Sequence, residues 1–357
     1  VSKKPSSLPD IYYIILDGYA REDVLKDIFN YDNSQFLNQL KKRGFYIADK
    51  SLANYDQTCL SNAASLNFAY LDKLDGLANL VGTESGDRLP LHDVINKNRA
   101  IQFLKQFGYV FVAFSSWWGC FDVEDADVFN APPLLPREFH YMLISYTPIS
   151  LLLEKLHIKS AFDVHREKLV YIFEHIANLP KRDFPVFLFS HILAPHPPFV
   201  FDENGKAVAW PKKKSIAFCD GSMIIKTEQM RREYISFYIG QLKYVNKRVI
   251  EIIDGIIAKS SKPPIIIIQA DHGPGSMLDW ESVENSNLKE RMGILNAYYL
   301  PAGGEKYLYS GITPVNTFRA IFNVYFGAKF GLLEDKIYFS TWSHPYRFID
   351  VTQKVQQ

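Results

Sequence analysis

The chain of 357 residues is short of cysteine, of net charge and of long apolar runs, and each shortage removes a class of explanation. Its three cysteines, Cys59, Cys120 and Cys219, form no C-x-x-C pair. Neither a zinc knuckle nor a dithiol redox motif is therefore supported, and at most one disulfide can form, with the pairing left open. The net charge is +1, and no basic tract with interleaved aromatics appears, so nothing argues for a nucleic-acid partner. No apolar run reaches the ~18 residues needed to span a bilayer. Neither a signal-peptide pattern, an internal repeat nor a low-complexity segment is visible.

What is present is apolar and aromatic. Hydrophobic residues make up 47% and aromatics 15%, with 26 Phe and 21 Tyr. The length suits one large α/β domain or two smaller ones. So many aromatic rings imply a wide, well-filled core or contact with a ligand or membrane. Residues 1–8 open as "VSKKPSSL", polar and Pro/Ser-rich like a linker, and a membrane tether is expected upstream.

"PDIYYIILDG" (9–18) is a short apolar run ending in Asp-Gly, the pattern of a buried strand and a tight turn. "NSQFLNQLKKRGF" sets Phe36, Leu37 and Leu40 at helical spacing and stops at Gly44. "FYIAD" reads as a strand and "SNAASLNFAYLD" as a helix. "AIQFLKQFGYVFVAFSS" (100–116) repeats helix, Gly, strand. Residues 165–178 read as helix, "FPVFLFSHI" (184–192) as strand, and 232–260 as a long amphipathic helix. "PPIIIIQADHG" (263–273) is a strand that ends in a polar cluster, and 313–327 is a late helix. Strand and helix alternate, and the strands are solid apolar runs. That predicts an α/β fold with a mostly parallel central sheet and helices on both faces. Stretches near 118–160 and 200–230 read as insertions. The first contains "YMLISYTPISLLLEKL", read as a core or lid helix, with membrane-surface contact as the alternative.

Open α/β sheets bind ligands at the carboxyl ends of their strands. Asp17 ends the first strand, Asp271 and His272 end the Ile-rich one, and Thr58 lies in the turn entering a helix. Two carboxylates, an imidazole and a hydroxyl suit Zn²⁺ or Mn²⁺. A hydroxyl beside such an ion can become a nucleophile near neutral pH. A helix N-terminus behind it offers N–H groups to an anionic oxygen. Each residue also has a plainer reading. Asp-Gly makes turns, Thr caps helices, and Asp-His-Gly alone is a weak signal.

Together, "YYIILDGY", "GFYIADKSLANYDQTCLSNAASLN", "HILAPHPPFVF" and "IIIIQADHGPGS" resemble the alkaline phosphatase superfamily. Within it they are similar to the bacterial sulfatase-like branch of lipoteichoic acid synthases and phosphoglycerol and phosphoethanolamine transferases. The resemblance spans about residues 9–350 and makes 9–357 a single sulfatase-like catalytic domain. It implies Thr58 as nucleophile, and Asp17, Thr58, Asp271 and His272 as ligands of one Zn²⁺ or Mn²⁺. A second metal site is left open. The resemblance makes His196 a residue that handles substrate or leaving group. His191 either stabilises the same pocket, helps a second metal, or is a satisfied core histidine. Sulfatases modify a Cys within C-x-P-x-R, and Cys59 is followed by Leu60, Ser61, Asn62 and Ala63. Cys59 is therefore expected to be a small packing residue whose removal is harmless.

The activity implied is phosphoryl transfer from, or cleavage of, a phospholipid or glycan phosphoester through a phospho-threonine. The place implied is extracytoplasmic and close to a membrane. The alternatives are a sulfatase-type or phosphatase hydrolase, and a non-catalytic metal-binding module of the same fold.

Overall fold

Every residue of Ile11–Leu16 is buried and none is charged. A strand of this kind must be covered on both faces, and it is the central strand, β1, of a seven-stranded sheet. The computed structural model describes residues 8–116, 122–132, 159–179, 183–211 and 220–355. β1 lies between β5 (Val186–Ile192) and β8 (Ile265–Gln269), parallel to both. β3 (Val110–Phe114) and then β4 (Val128–Asn130) extend the parallel set beyond β5. On the far side β9 (Asn296–Tyr299) runs antiparallel to β8, and β2 (Tyr46–Ile47) antiparallel to β9. The order is β2-β9-β8-β1-β5-β3-β4. A separate hairpin, β6 (Phe199–Phe201) and β7 (Ala207–Trp210), follows β5.

Strand alternation divides the core in two. Ile11, Tyr13 and Ile15 join a cluster with α3 (Thr58–Asn67), α4 (Leu89–Asn96), α5 (Arg99–Lys105) and α8 (Pro314–Phe326). Tyr12, Ile14 and Leu16 face the opposite cluster, with α2 (Ser34–Lys42), α6 (Ala161–His175) and α7 (Glu228–Lys259). The short α1 (Glu22–Asp27) follows β1 and lends Val24 and Leu25 to the second cluster. Each fully buried Ile, Leu or Phe in these layers contributes about 1.5–3 kcal/mol.

α7 is long because its sequence keeps one stripe apolar: Tyr234, Tyr238, Leu242, Val245, Val249, Ile253 and Ile256 are buried at three- and four-residue steps. Thr227 caps its N-terminus by accepting from the Met230 amide at 3.2 Å. The helix also fixes the loop after β1. Tyr238 Oη donates to the Gly18 carbonyl at 2.9 Å and accepts from the Ala20 amide at 3.1 Å. Gly18 takes φ +68°, which turns the chain sharply after Asp17 and sends its amide to Asp271 Oδ1 at 3.2 Å.

The mostly parallel, doubly covered sheet matches the sequence expectation. α3 starts at Thr58, three residues before the helix read from sequence, and ends at Asn67. Phe68 then adopts a left-handed φ of 41°. Most of 118–160, with the apolar stretch 141–156, lies outside the described residues. Of 200–230, the structure describes the β6–β7 hairpin and a single helical turn at Gly221–Ile224. No helix among the described residues is long and apolar enough to cross a membrane.

Candidate active site

Register decides which side chains meet. Ile15 pairs with His191 on β5 and with Gln269 on β8. Asp17, two residues past Ile15, therefore emerges level with Asp271, two residues past Gln269. His191 shares the sheet face of Phe187 and Phe189, the face that α3 covers. Asp17, His191 and Asp271 present ligand atoms all within 4.8 Å of one another, and all three are buried.

His272 closes this group from the other side. Its Nε2 lies 3.6 Å from Asp17 Oδ1 and 3.4 Å from Asp271 Oδ2. Its Nδ1–H donates to the Gly273 carbonyl at 2.8 Å. With the proton committed there, Nε2 of the neutral ring is an acceptor, and Thr58 Oγ1 donates to it at 2.8 Å. Gly273 is obligatory for this turn: a Cβ there would come within 2.0 Å of the Glu290 carbonyl. α3 is fastened to the same strand end, since Ser61 Oγ donates to the Asp271 carbonyl at 2.7 Å. The sequence-predicted quartet Asp17, Thr58, Asp271 and His272 is thus brought together, with His191 beside the two carboxylates at 3.7 and 3.6 Å.

The electrostatics are those of crowded like charges. Burial and then the Asp271 charge raise the Asp17 carboxyl above its usual range. For Asp271 burial acts the same way, but His272, His191 and the Gly18 amide outweigh it and hold the carboxylate ionised. Burial, and then Arg291, lower the His272 imidazole, which keeps it neutral.

His196 lies beside this cluster rather than in it. Its ring is 6.2 Å from that of His272, and its Nδ1–H donates to the Pro197 carbonyl at 2.6 Å. The loop is tied to β1 by the bond from the His196 amide to the Asp17 carbonyl at 3.0 Å. Its Nε2 faces Asp220 Oδ2 at 3.8 Å. Burial works to lower the imidazole, but the charges of Asp17 and Asp220 push it up to about 9. His196 is therefore a protonated donor at neutral pH.

Two residues here were not singled out from sequence. Asp220 lies in the stretch read as an insertion, and Arg291 lies past the Ile strand with no motif around it. Arg291 is buried, with Nη1 3.0 Å from Asp220 Oδ2 and 3.1 Å from the Gly273 carbonyl. Its Nε donates to the Asp56 carbonyl at 2.8 Å, two residues before Thr58. One guanidinium thus links the turn before α3, the turn after β8 and the carboxylate facing His196. A buried arginine with three oxygen partners is the signal; it is a contact property, invisible along the chain.

The expectation for Cys59 is corrected. Cys59 is disulfide-bonded rather than a free packing thiol. Cys120 and Cys219 both lie outside the described residues. A bonded sulfur is unavailable for conversion to a formylglycine.

The cluster's chemistry fits a divalent metal. Among the described residues, Asp17 Oδ1 and Asp271 Oδ2 are buried without a hydrogen-bond partner. Two buried carboxylate oxygens lacking such partners are costly, and a dication between them removes the cost. The mixed oxygen and imidazole donors suit Zn²⁺ or Mn²⁺.

No family model matches the chain, and no curated protein matches it in sequence. Solved structures do match in shape. The C-terminal periplasmic domain of EcEptC from Escherichia coli, a zinc complex, aligns over 98% of this chain and 94% of its own, with TM-score 0.58 and 12% identity. The phosphonate monoester hydrolase of Agrobacterium radiobacter aligns over 93% and 80%, with TM-score 0.54 and 13% identity. The C-terminal periplasmic domain of phosphoethanolamine transferase EptC from Campylobacter jejuni aligns over 92% of both chains, with TM-score 0.50 and 13% identity. The chain has the alkaline phosphatase fold. At such identities the likeness is one of architecture, and function rests on the site.

Proposed function

We propose that this protein is a metal-dependent phosphotransferase or phosphodiesterase that forms a covalent phospho-threonine at Thr58. The observation that carries the reading is the Thr58 hydroxyl, at the first residue of α3, bonded at 2.8 Å to His272 Nε2 beside the Asp17–His191–Asp271 group. Asp17, Thr58, Asp271 and His272 would hold one divalent ion, with His191 beside it. When bound, that ion supplies the positive charge that lowers the Thr58 hydroxyl pKa, so that its proton is lost to water.

The chain's own groups carry the remaining steps. Thr58 Oγ attacks phosphorus, and its new bond to phosphorus forms as the bond to the departing alcohol breaks. His196, protonated at neutral pH, gives its proton to the departing oxygen. The first amides of α3 face the phosphoryl oxygens. An incoming alcohol or water then returns its proton to His196 and displaces Thr58 from phosphorus. The zinc complex and the phosphoethanolamine transferase among the structural neighbours support metal-dependent group transfer, and the substrate in this reading is a lipid or glycan head-group phosphoester. The Cys59 disulfide supports an oxidising, extracytoplasmic setting.

The test is turnover of an aryl phosphodiester by purified protein with and without Zn²⁺ or Mn²⁺, followed by acid quench and peptide mass spectrometry. Metal-dependent turnover and a phosphorus adduct on Thr58 are expected, and Thr58→Ala should retain less than about a thousandth of the activity. Turnover surviving in Thr58→Ala would overturn the assignment.

A further inference from the structure

Asn62 is 1% exposed, yet among the described residues neither its Nδ2 nor its Oδ1 has a hydrogen-bond partner. Buried carboxamides are ordinarily bonded, and one left without partners keeps its desolvation penalty uncompensated. The position of this one is not arbitrary. It stands four residues after Thr58, one turn along α3. At 3.6 residues per turn the two side chains point within about 40° of each other. Helical side chains lean toward the N-terminus, so Asn62 lies over the turn that Thr58 begins. The directions of its neighbours fix the face. Ser61 bonds the Asp271 carbonyl and Thr58 bonds His272, so this side of α3 looks onto the end of β8. His191 projects from the same face of the sheet toward α3.

We propose that Asn62 is a substrate-binding residue whose Nδ2–H donates to a non-bridging oxygen of the phosphoryl group held at Thr58. This rests on the phosphoryl-transfer reading and adds a residue to it. The charges already described serve other parts of the reaction: Asp17, Asp271 and His272 suit the metal, and His196 suits the departing oxygen. A neutral amide donor adds no charge to this crowded cluster. It binds the phosphoryl oxygens in the ground state and more strongly as negative charge builds on them in the transition state. The cost of burying it without a partner in the free protein is then offset only when the anion is bound.

This produces a signature that a structural asparagine would not show. In metal-loaded protein, Asn62→Leu removes the unpartnered amide, so its melting temperature without ligand should equal or exceed that of wild type. The same substitution should abolish most of the rise in melting temperature caused by inorganic phosphate or vanadate. It should also lower kcat/KM by about 10²-fold, with metal content by elemental analysis unchanged. Asn62→Ala, which adds no bulk, should lose the phosphate response equally. If both variants melt well below wild type and keep its response to phosphate, the amide is structural and the proposal fails. If wild type itself neither responds to phosphate nor turns over a phosphodiester, the phosphoryl-transfer reading fails and this inference with it.

Discussion

Asp220 presents one carboxylate oxygen, Oδ2, to two cations, the Arg291 guanidinium at 3.0 Å and the His196 ring at 3.8 Å. Its opposite oxygen makes no hydrogen bond among the described residues, so the whole charge balance runs through this contact. Burial pushes the carboxyl up, but Arg291 and His196 hold it well below the usual range. Asp220→Asn leaves a buried guanidinium uncompensated, which costs about 3–5 kcal/mol. The sign of the pH dependence follows from the lowered pKa. The contribution of Asp220 is complete above 3.8, the ordinary carboxylate value, and is lost as pH falls below it. Urea melts of wild type and Asp220→Asn should therefore differ most near pH 7 and converge in acid. On the proposed mechanism Asp220 positions His196, so kcat should fall more than KM rises in Asp220→Asn. An unchanged kcat would remove that role. Neither Asp220 nor Arg291 was legible in the sequence. Their meaning lies in one contact between residues 71 apart, and a lone Asp and a lone Arg carry no periodic or motif signal.

At the scale of elements, legibility tracked length and burial. β1, β5, β8, α7 and α8 are long or wholly apolar, and each was readable from its run or its stripe. β9, with the sequence NAYY, is defined by antiparallel pairing rather than by an apolar run, whereas FYIAD marks the two-residue β2. α3 is a different case. It is buried on all sides from Cys59 to Asn67, so it has no amphipathic stripe to mark its start. The disulfide at Cys59 acts on this helix, because its sulfur is anchored in the first turn, one residue from Thr58. Reduction should destabilise the domain by about 2–4 kcal/mol and should loosen the turn that carries Thr58. Treatment with dithiothreitol should lower both the melting temperature and kcat. With three cysteines and one bridge, unreduced denatured protein should release a single thiol equivalent to a thiol reagent. Three equivalents would overturn the bridge.

At the scale of the whole molecule, the proposed phospho-threonine raises the question of where its phosphoryl group goes next. The surface beside Thr58 bears on it. Gln57, adjacent to Thr58, accepts from Arg88 Nη2 at 3.0 Å, and Arg88 stacks over the Trp342 ring at 4.0 Å. Trp342 is 46% exposed and Leu89, next to Arg88, is 72% exposed. The Trp342 ring meets Trp280 at 5.2 Å, and the Trp280 ring lies under Arg291 at 4.9 Å. An aromatic and aliphatic rim thus runs from the Thr58 turn to the guanidinium that holds Asp220. Such a rim suits an acceptor or donor with a lipid part, and it favours displacing water from the proposed covalent intermediate. We therefore expect transfer to an alcohol on a lipid or glycan to dominate over hydrolysis. The measurement is to supply a phospholipid labelled in its head group, in mixed vesicles, and to follow the label. Label appearing on a lipid or sugar hydroxyl supports transfer, and Trp342→Ala should slow that transfer more than it slows cleavage of a small aryl diester. Rapid release of free head-group phosphate, unaffected by added acceptor alcohol and by Trp342→Ala, would make the protein a hydrolase. The Thr58 and metal assignments would survive that result.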